Sequence, residues 1–282
     1  MNNSIQVKDL TVQFGHFTAL EKINVTFGEN QIYGLLGRNG AGKSTLLSAV
    51  NNRLFPNEGE VIIDGERGME NDNAQGKIYY MGEKNIYPDG TSVKQLLRWS
   101  RDFYPNFNME YACQLAERFQ LNQKKKLKSL STGYLTIAKL IGALASGAPY
   151  TFFDEPVLGL DANHRELFYQ ELIRQYSEFP RTIVISTHLI EEVSDIIEQV
   201  VIIKDGRILL DRPVEEVKQM GYMVSGKSAD VDAYCAGRQT IGEDQLGNLK
   251  RACLLGQPEE VPASLDISAM DLQKLFVQLT NA

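Results

Sequence analysis

The hydrophobic positions change period along this chain, and the changes mark out its elements. Over residues 4–30 the apolar positions alternate in short runs, Ile5, Val7, Leu10, Val12 and Phe14, then Ile23, Val25 and Phe27, punctuated by Gly15 and by Gly28-Glu29-Asn30. This predicts antiparallel strands of a small sheet. Gln31 to Leu36 is an apolar run of the buried-strand kind, and Ser44 to Val50 reads as a helix. Pro56-Asn57-Glu58-Gly59 predicts a turn, and Val61-Ile62-Ile63 before Asp64-Gly65 predicts a strand and hairpin. Residues 66–77 are polar and predict a solvent loop, and Ile78 to Met81 predicts a short strand. From Thr91 to about Lys128 the spacing becomes three and four residues, through Val93, Leu96, Leu97, Trp99, Tyr111, Leu115 and Phe119, which predicts a helical block. Beyond it come a helix at 131–146, a fully apolar strand at Tyr150 to Phe153, a helix at about 162–177, and a strand from Thr182 to Ser186. A helix from Leu189 to Ile197 and strands at Val200 to Ile203 and Ile208 to Leu210 follow. Strands alternating with helices imply a mostly parallel sheet. After Gly221 the composition shifts to short strand-like and helical segments, including Leu272 to Leu279.

Candidate chemistry starts at the junction after Leu36. Gly37, Arg38, Asn39, Gly40, Ala41, Gly42, Lys43, Ser44 and Thr45 match the phosphate-cradling pattern G-x-x-x-x-G-K-S/T in full. They stand between a strand and a helix, the context the pattern needs. Glycines let backbone N–H groups turn inward around an anion, and the helix N-terminus adds its positive end. Lys43 is then expected to reach the β- and γ-phosphates of a nucleotide, and the Ser44 hydroxyl to ligate Mg²⁺.

Composition narrows the class. The 282 residues are 43% hydrophobic and 23% charged, enough for one full domain plus a smaller one. A formal net charge of −7 argues against a nonspecific nucleic-acid binder, and no nucleic acid is expected as a partner. Cys113, Cys235 and Cys253 are scattered, which fits free thiols in a reducing compartment. Met1-Asn2-Asn3-Ser4 lacks the basic start and apolar run of a signal peptide, and no stretch approaches the roughly 18 apolar residues of a membrane span. The expectation is a cytoplasmic protein that meets a membrane only through a partner.

The second chemical centre is Phe152-Phe153-Asp154-Glu155-Pro156. An Asp at the end of a buried strand suits Mg²⁺ ligation beside the phosphate loop, and the next residue, Glu155, suits a general base acting on water. With these residues the chain resembles the nucleotide-binding subunit of ATP-binding cassette (ABC) transporters. Phe153-Asp154-Glu155-Pro156 resembles that family's Walker B motif with its catalytic glutamate. Leu130-Ser131-Thr132-Gly133-Tyr134 resembles its signature, usually L-S-G-G-Q, with Thr132 in place of a glycine and Tyr134 in place of the glutamine. Ser131, Thr132 and Gly133 would then contact ATP held by the opposite subunit; Ser131 is equally a helix N-cap. His188, after the strand 182–186, resembles the switch histidine beside the γ-phosphate. Leu158-Gly159-Leu160-Asp161 resembles the D-loop, where Asp161 is also a candidate cap. Glu83 occupies the position of the Q-loop glutamine, and its carboxylate suits Mg²⁺. Phe14 matches the aromatic residue that stacks on adenine; the other reading of it is a core residue of an N-terminal strand.

The resemblance covers about residues 4–220. It implies an α/β fold: a P-loop NTPase core with a mostly parallel sheet, an N-terminal antiparallel β subdomain, and a helical subdomain inserted at about 84–148. These make an ABC ATP-binding domain over 1–220, and residues 221–282 are expected to form a small C-terminal α+β accessory domain. The implied function is an ATPase subunit that uses ATP and Mg²⁺ to close a homodimer or heterodimer of ATPase subunits. Dimer closure would drive a separate transmembrane permease, expected to be an exporter, from the inner face of the cell membrane. Ile86-Tyr87-Pro88 and Trp99 are the candidate permease contacts. The rival readings are a soluble ABC protein of translation or DNA repair and a nucleotide-sensing regulator with weak ATPase activity.

Overall fold

The computed structural model describes residues 3–281; Met1 and Asn2, the start of the segment without signal-peptide character, lie outside the described residues. The early alternation is realised as β1 (Ser4–Phe14) and β2 (Phe17–Gly28), paired antiparallel from Ser4↔Gly28 to Phe14↔Phe17. β3 (Ile32–Leu36), buried at every residue, feeds through the glycine loop into α1 (Lys43–Val50). β4 (Glu58–Ile63) and β5 (Glu66–Arg67) complete a four-stranded antiparallel sheet of order β2-β1-β4-β5.

Residues 66–77 are a correction to the expected solvent loop. They hold β5 and the short helix α2 (Asp72–Gln75), with Ala74 buried. The polar residues there satisfy backbone groups: Asn71 caps α2, and the Gln75 amide donates to the carbonyls of Val50 and Gly68. β6 (Ile78–Met81) follows, then the helical block of α3 (Val93–Phe103), α4 (Met109–Arg118) and α5 (Thr132–Leu144). Their starts are fixed by Ser92, in a capping box with Gln95, by Asn108 and by Ser131.

The chain then alternates through β7 (Tyr150–Asp154), α6 (Ala162–Glu178), β8 (Thr182–Thr187), α7 (Ile190–Val193), β9 (Gln199–Lys204) and β10 (Arg207–Pro213). The helix expected from Leu189 to Ile197 is shorter. After Val193 the chain tightens into turns, which bring Ile197 against β3, where a Cβ on Gly34 would lie 2.7 Å from its Cδ1. The central sheet has the order β10-β9-β3-β8-β7-β6, parallel except for the edge strand β10. Strands buried on both faces explain the unbroken apolar runs.

α1 lies between the two sheets: Leu46, Leu47 and Val50 pack with Ile5, Val25 and Phe27 on one side and Tyr33, Leu35 and Val184 on the other. The helical block covers the opposite face of the central sheet. α8 (Val214–Lys218) leads to β11 (Gly221–Lys227), α9 (Ser228–Cys235), β12 (Thr240–Leu246), β13 (Leu249–Leu255), β14 (Asp266–Ala269) and α10 (Leu272–Asn281). These last strands form an antiparallel sheet of order β12-β13-β11-β14. The expected division at 220/221 falls at the start of β11, yet apolar packing runs across it. Met223, Cys253, Met270, Leu272, Leu275 and Phe276 belong to the same core as Ile190, Val193 and Val217. Among the described residues no helix is long and apolar enough to cross a membrane.

Candidate functional site

The C-terminal ends of β3, β6, β7 and β8 converge, and Lys43, Glu83, Asp154, Glu155 and His188 stand there. At the end of β3, Gly42 adopts φ 113°, and a Cβ on it would lie 2.7 Å from Leu20 Cδ2, so the loop closes tightly on β2 through a residue that only glycine tolerates. Lys43 is 6% exposed; its Nζ donates to Gly37 O at 2.7 Å and Arg38 O at 3.3 Å and lies 3.7 Å from Glu155 Oε1. Burial holds its pKa below the usual lysine value, against the opposing pull of Glu155 and Asp154.

β7 and β8 run side by side with Asp154 opposite Ser186. The buried Asp154 carboxylate accepts Ser44 Oγ at 3.1 Å and Ser186 Oγ at 3.0 Å on Oδ1, and Tyr80 OH at 3.1 Å on Oδ2. Glu155 leaves the strand in the left-handed region, at φ 49°, with its N–H donating to Ser186 O at 2.9 Å. That turn aims its carboxylate back over the strand ends. Oε1 lies 3.0 Å from His188 Nδ1, and Oε2 accepts Thr187 Oγ1 at 3.3 Å.

A cavity of about 380 Å³ opens above this cluster, lined by residues 38–45, Glu83, Glu155 and the two aromatic rings Phe14 and Phe17. Phe14 is 52% exposed. That removes the reading of it as a core residue. For a divalent cation the fitting donors are the Ser44 hydroxyl and the Asp154 carboxylate, hard oxygens already in contact. No group of three or more His, Cys, Asp or Glu side chains is arranged to hold a metal among the described residues. Two hard oxygens side by side fit a cation such as Mg²⁺, which keeps waters and takes phosphate oxygens from its nucleotide.

Ser131, Thr132, Gly133 and Asp161 are not brought to this cavity within the chain. Ser131 Oγ caps α5, accepting Tyr134 N–H at 3.4 Å. Gly133 packs so closely on the 158–161 loop that a Cβ would lie 2.6 Å from Gly159 O. Asp161 caps α6, accepting His164 N–H at 2.9 Å. Four contributors escaped sequence reasoning: Phe17, Tyr80, Thr187 and Lys139. Lys139 is 6% exposed in the middle of α5, and its Nζ donates to the carbonyls of Gly82, Glu83 and Lys84 at 3.1, 2.6 and 3.1 Å. Burial lowers its pKa. A lysine inside the run Ile137-Ala138-Lys139-Leu140-Ile141 was a readable signal, because a buried ammonium requires acceptors.

Comparison with known proteins adds the following. The model of the ABC transporter family matches residues 20–158, from β2 to just past β7. The ABC transporter ATP-binding protein YtrB of Bacillus subtilis (strain 168) is 28% identical over 235 residues, covering 83% of this chain and 80% of its own. The petrobactin import ATP-binding protein YclP of the same organism is 30% identical over 247 residues, covering 84% of this chain and 98% of its own. A solved dimeric structure of a post-hydrolysis state of the ATP-binding cassette MJ0796, bound to ADP and Pi, is 25% identical with a TM-score of 0.64, covering 74% of this chain and 98% of that chain.

Proposed function

The chain belongs to the ABC family as a transporter ATP-binding subunit, an ATPase, and from that premise we propose that Glu155 is the general base of its ATP hydrolysis and that hydrolysis gates a subunit dimer. One observation carries this: Lys43, Glu155 and His188 converge, with 3.7 Å from Lys43 Nζ to Glu155 Oε1 and 3.0 Å from His188 Nδ1 to the same oxygen. A γ-phosphate bound to Lys43 then has a carboxylate in position to take a proton from water, and an imidazole beside both. The N–H groups of residues 37–45 cradle the phosphates. Ser44 and Asp154 hold Mg²⁺, which supplies charge neutralisation at the phosphate oxygens; Glu83 is a further oxygen at the cavity wall. Phe14, with Phe17, stacks on the adenine.

Ser131, Thr132, Gly133 and Asp161 serve the nucleotide of a second subunit. Their place outside the lining of the chain's own cavity supports this, as does the dimeric form of the related cassette. The permease contact is assigned to the loop after Glu83, where Ile86 is 62% exposed. We assign export as the direction on the short helical insert and the added C-terminal sheet. YclP is named for import, and uptake measured in inverted vesicles with the cognate permease decides between the two. The test of the central proposal is Glu155→Gln. ATP turnover falls by about 10²–10⁴-fold, while ATP still binds and dimers accumulate in size-exclusion chromatography. Turnover at the wild-type rate would remove Glu155 from the role.

A further inference from the structure

A cavity of about 530 Å³ lies at the other end of the central sheet from the nucleotide site. Tyr150 and Thr182, the first residues of β7 and β8, line it; the far ends of the same strands carry Asp154 and Thr187. Leu144, Phe179 and Pro180 give it an apolar wall. Set among them is Arg181, 7% exposed. One of its NH2 groups donates to Leu144 O at 3.3 Å, so it caps the C-terminal end of α5. Its Nε is buried without a hydrogen-bond partner, and among the described residues no carboxylate lies within ion-pairing distance of the guanidinium. The buried carboxylate of the adjoining helices, Glu171, is already taken by Arg118, Arg174 and Tyr111. Burial pushes the Arg181 pKa down to about 10.

A desolvated guanidinium is costly unless its donors are met, and one carbonyl at a helix end meets only one of them. The cavity volume lies within the range of small-molecule sites, and its lining joins an apolar wall to one buried charge, Arg181; the other charged residue of the lining, Glu29, is exposed. We propose that this cavity binds a small organic anion, its carboxylate or phosphate group on Arg181 and its apolar body against Phe179 and Pro180. The ligand lies at the foot of the two strands whose tops hold the hydrolytic residues, and the site is independent of the nucleotide cavity.

The test is a fluorescence titration of the full chain with 1-anilinonaphthalene-8-sulfonate, a flat apolar anion, in saturating MgADP so that the nucleotide cavity is filled. One saturable site is expected. Displacement by sodium octanoate assigns the head group as carboxylate and displacement by sodium phosphate as phosphate; displacement by neither overturns the ligand class. Arg181→Met weakens dye binding by about tenfold or more, while the unfolding midpoint stays level or rises because an unmet buried charge is gone. Gln175→Glu, at a half-buried position on the α6 side of the cavity that takes no part in the Arg181 contacts, weakens the dye by about threefold through like-charge repulsion. It decides the matter if Arg181→Met does not fold. Dye affinity unchanged in the variants, or no saturable site in the wild type, leaves Arg181 as a helix cap and nothing more.

Discussion

Lys139 ties two distant pieces of the site together with a single ammonium. Its three donors meet three successive carbonyls, those of Gly82, Glu83 and Lys84, so the loop carrying Glu83 is held to the helix that begins at Ser131. Lys139→Met leaves the apolar stem in place but strips three carbonyls of their partner, at about 1–3 kcal/mol of stability. Steady-state kinetics should show kcat for ATP falling by about tenfold with KM little changed, because the loop's placement is lost while the phosphate cradle is intact. An unchanged kcat would mean that other contacts hold the loop. The contrast with the phosphate loop shows what was legible at this scale. Residues 37–45, Asp154 and Glu155 announce themselves because their chemistry is local, a spacing at a strand end. Tyr80 reaches Asp154 and Lys139 reaches Glu83 only through pairings set by the tertiary fold. Phe17 carries no signal of its own in the sequence, because its relevance comes from pairing with Phe14 across a tight hairpin.

Among the elements, strand periodicity was the strongest signal. β3, β7 and β8 are unbroken apolar runs because both faces of the central sheet are covered. The two misreadings, at 66–77 and 189–197, are short segments where side-chain caps and turns override local polarity or apolarity. The end of β4 shows such a side chain fastening strands. Asp64 accepts from Tyr150 OH at the start of β7, from Lys77 Nζ at 2.9 Å and from Ser4 N–H at 3.1 Å. Burial alone would raise its pKa, but the hydrogen bonds from Tyr150 and Lys77 prevail and hold the carboxyl below its usual value. A depressed folded-state pKa means that the unfolded chain takes up the proton first. The contribution is therefore complete above the unfolded pKa of about 3.9 and is lost as the pH falls through the folded value. Urea melts should find Asp64→Asn less stable than wild type by about 1–3 kcal/mol at pH 7, with the gap closing below about pH 4. A gap of equal size at pH 3 would show that the charge is not what matters.

Across the whole molecule, the C-terminal sheet is joined to the ATPase core by shared apolar packing. Leu275 and Phe276 of α10 lie in one cluster with Ile190 and Val193 of α7, the helix just after His188. Leu275→Ala should cost about 2–5 kcal/mol and move a single calorimetric transition downward; a separate low-temperature transition would show that residues 221–282 melt alone. This coupling was hidden from sequence reasoning, which saw only a change of composition after Gly221. The sheet order has a different consequence, in time. β3, which leads into the phosphate loop, pairs with β8 and β9, and Ile32 meets Ile183, roughly 150 residues later in the chain. At about 5–20 residues per second, a nascent chain holds this apolar strand without its neighbours for about 8–30 s. Ribosome-bound chains halted near residue 178 should therefore be cut by protease within the glycine loop, whereas chains halted far enough on for β9 to have emerged should resist. The strand on which nucleotide binding depends is one of the first made and one of the last to find its place.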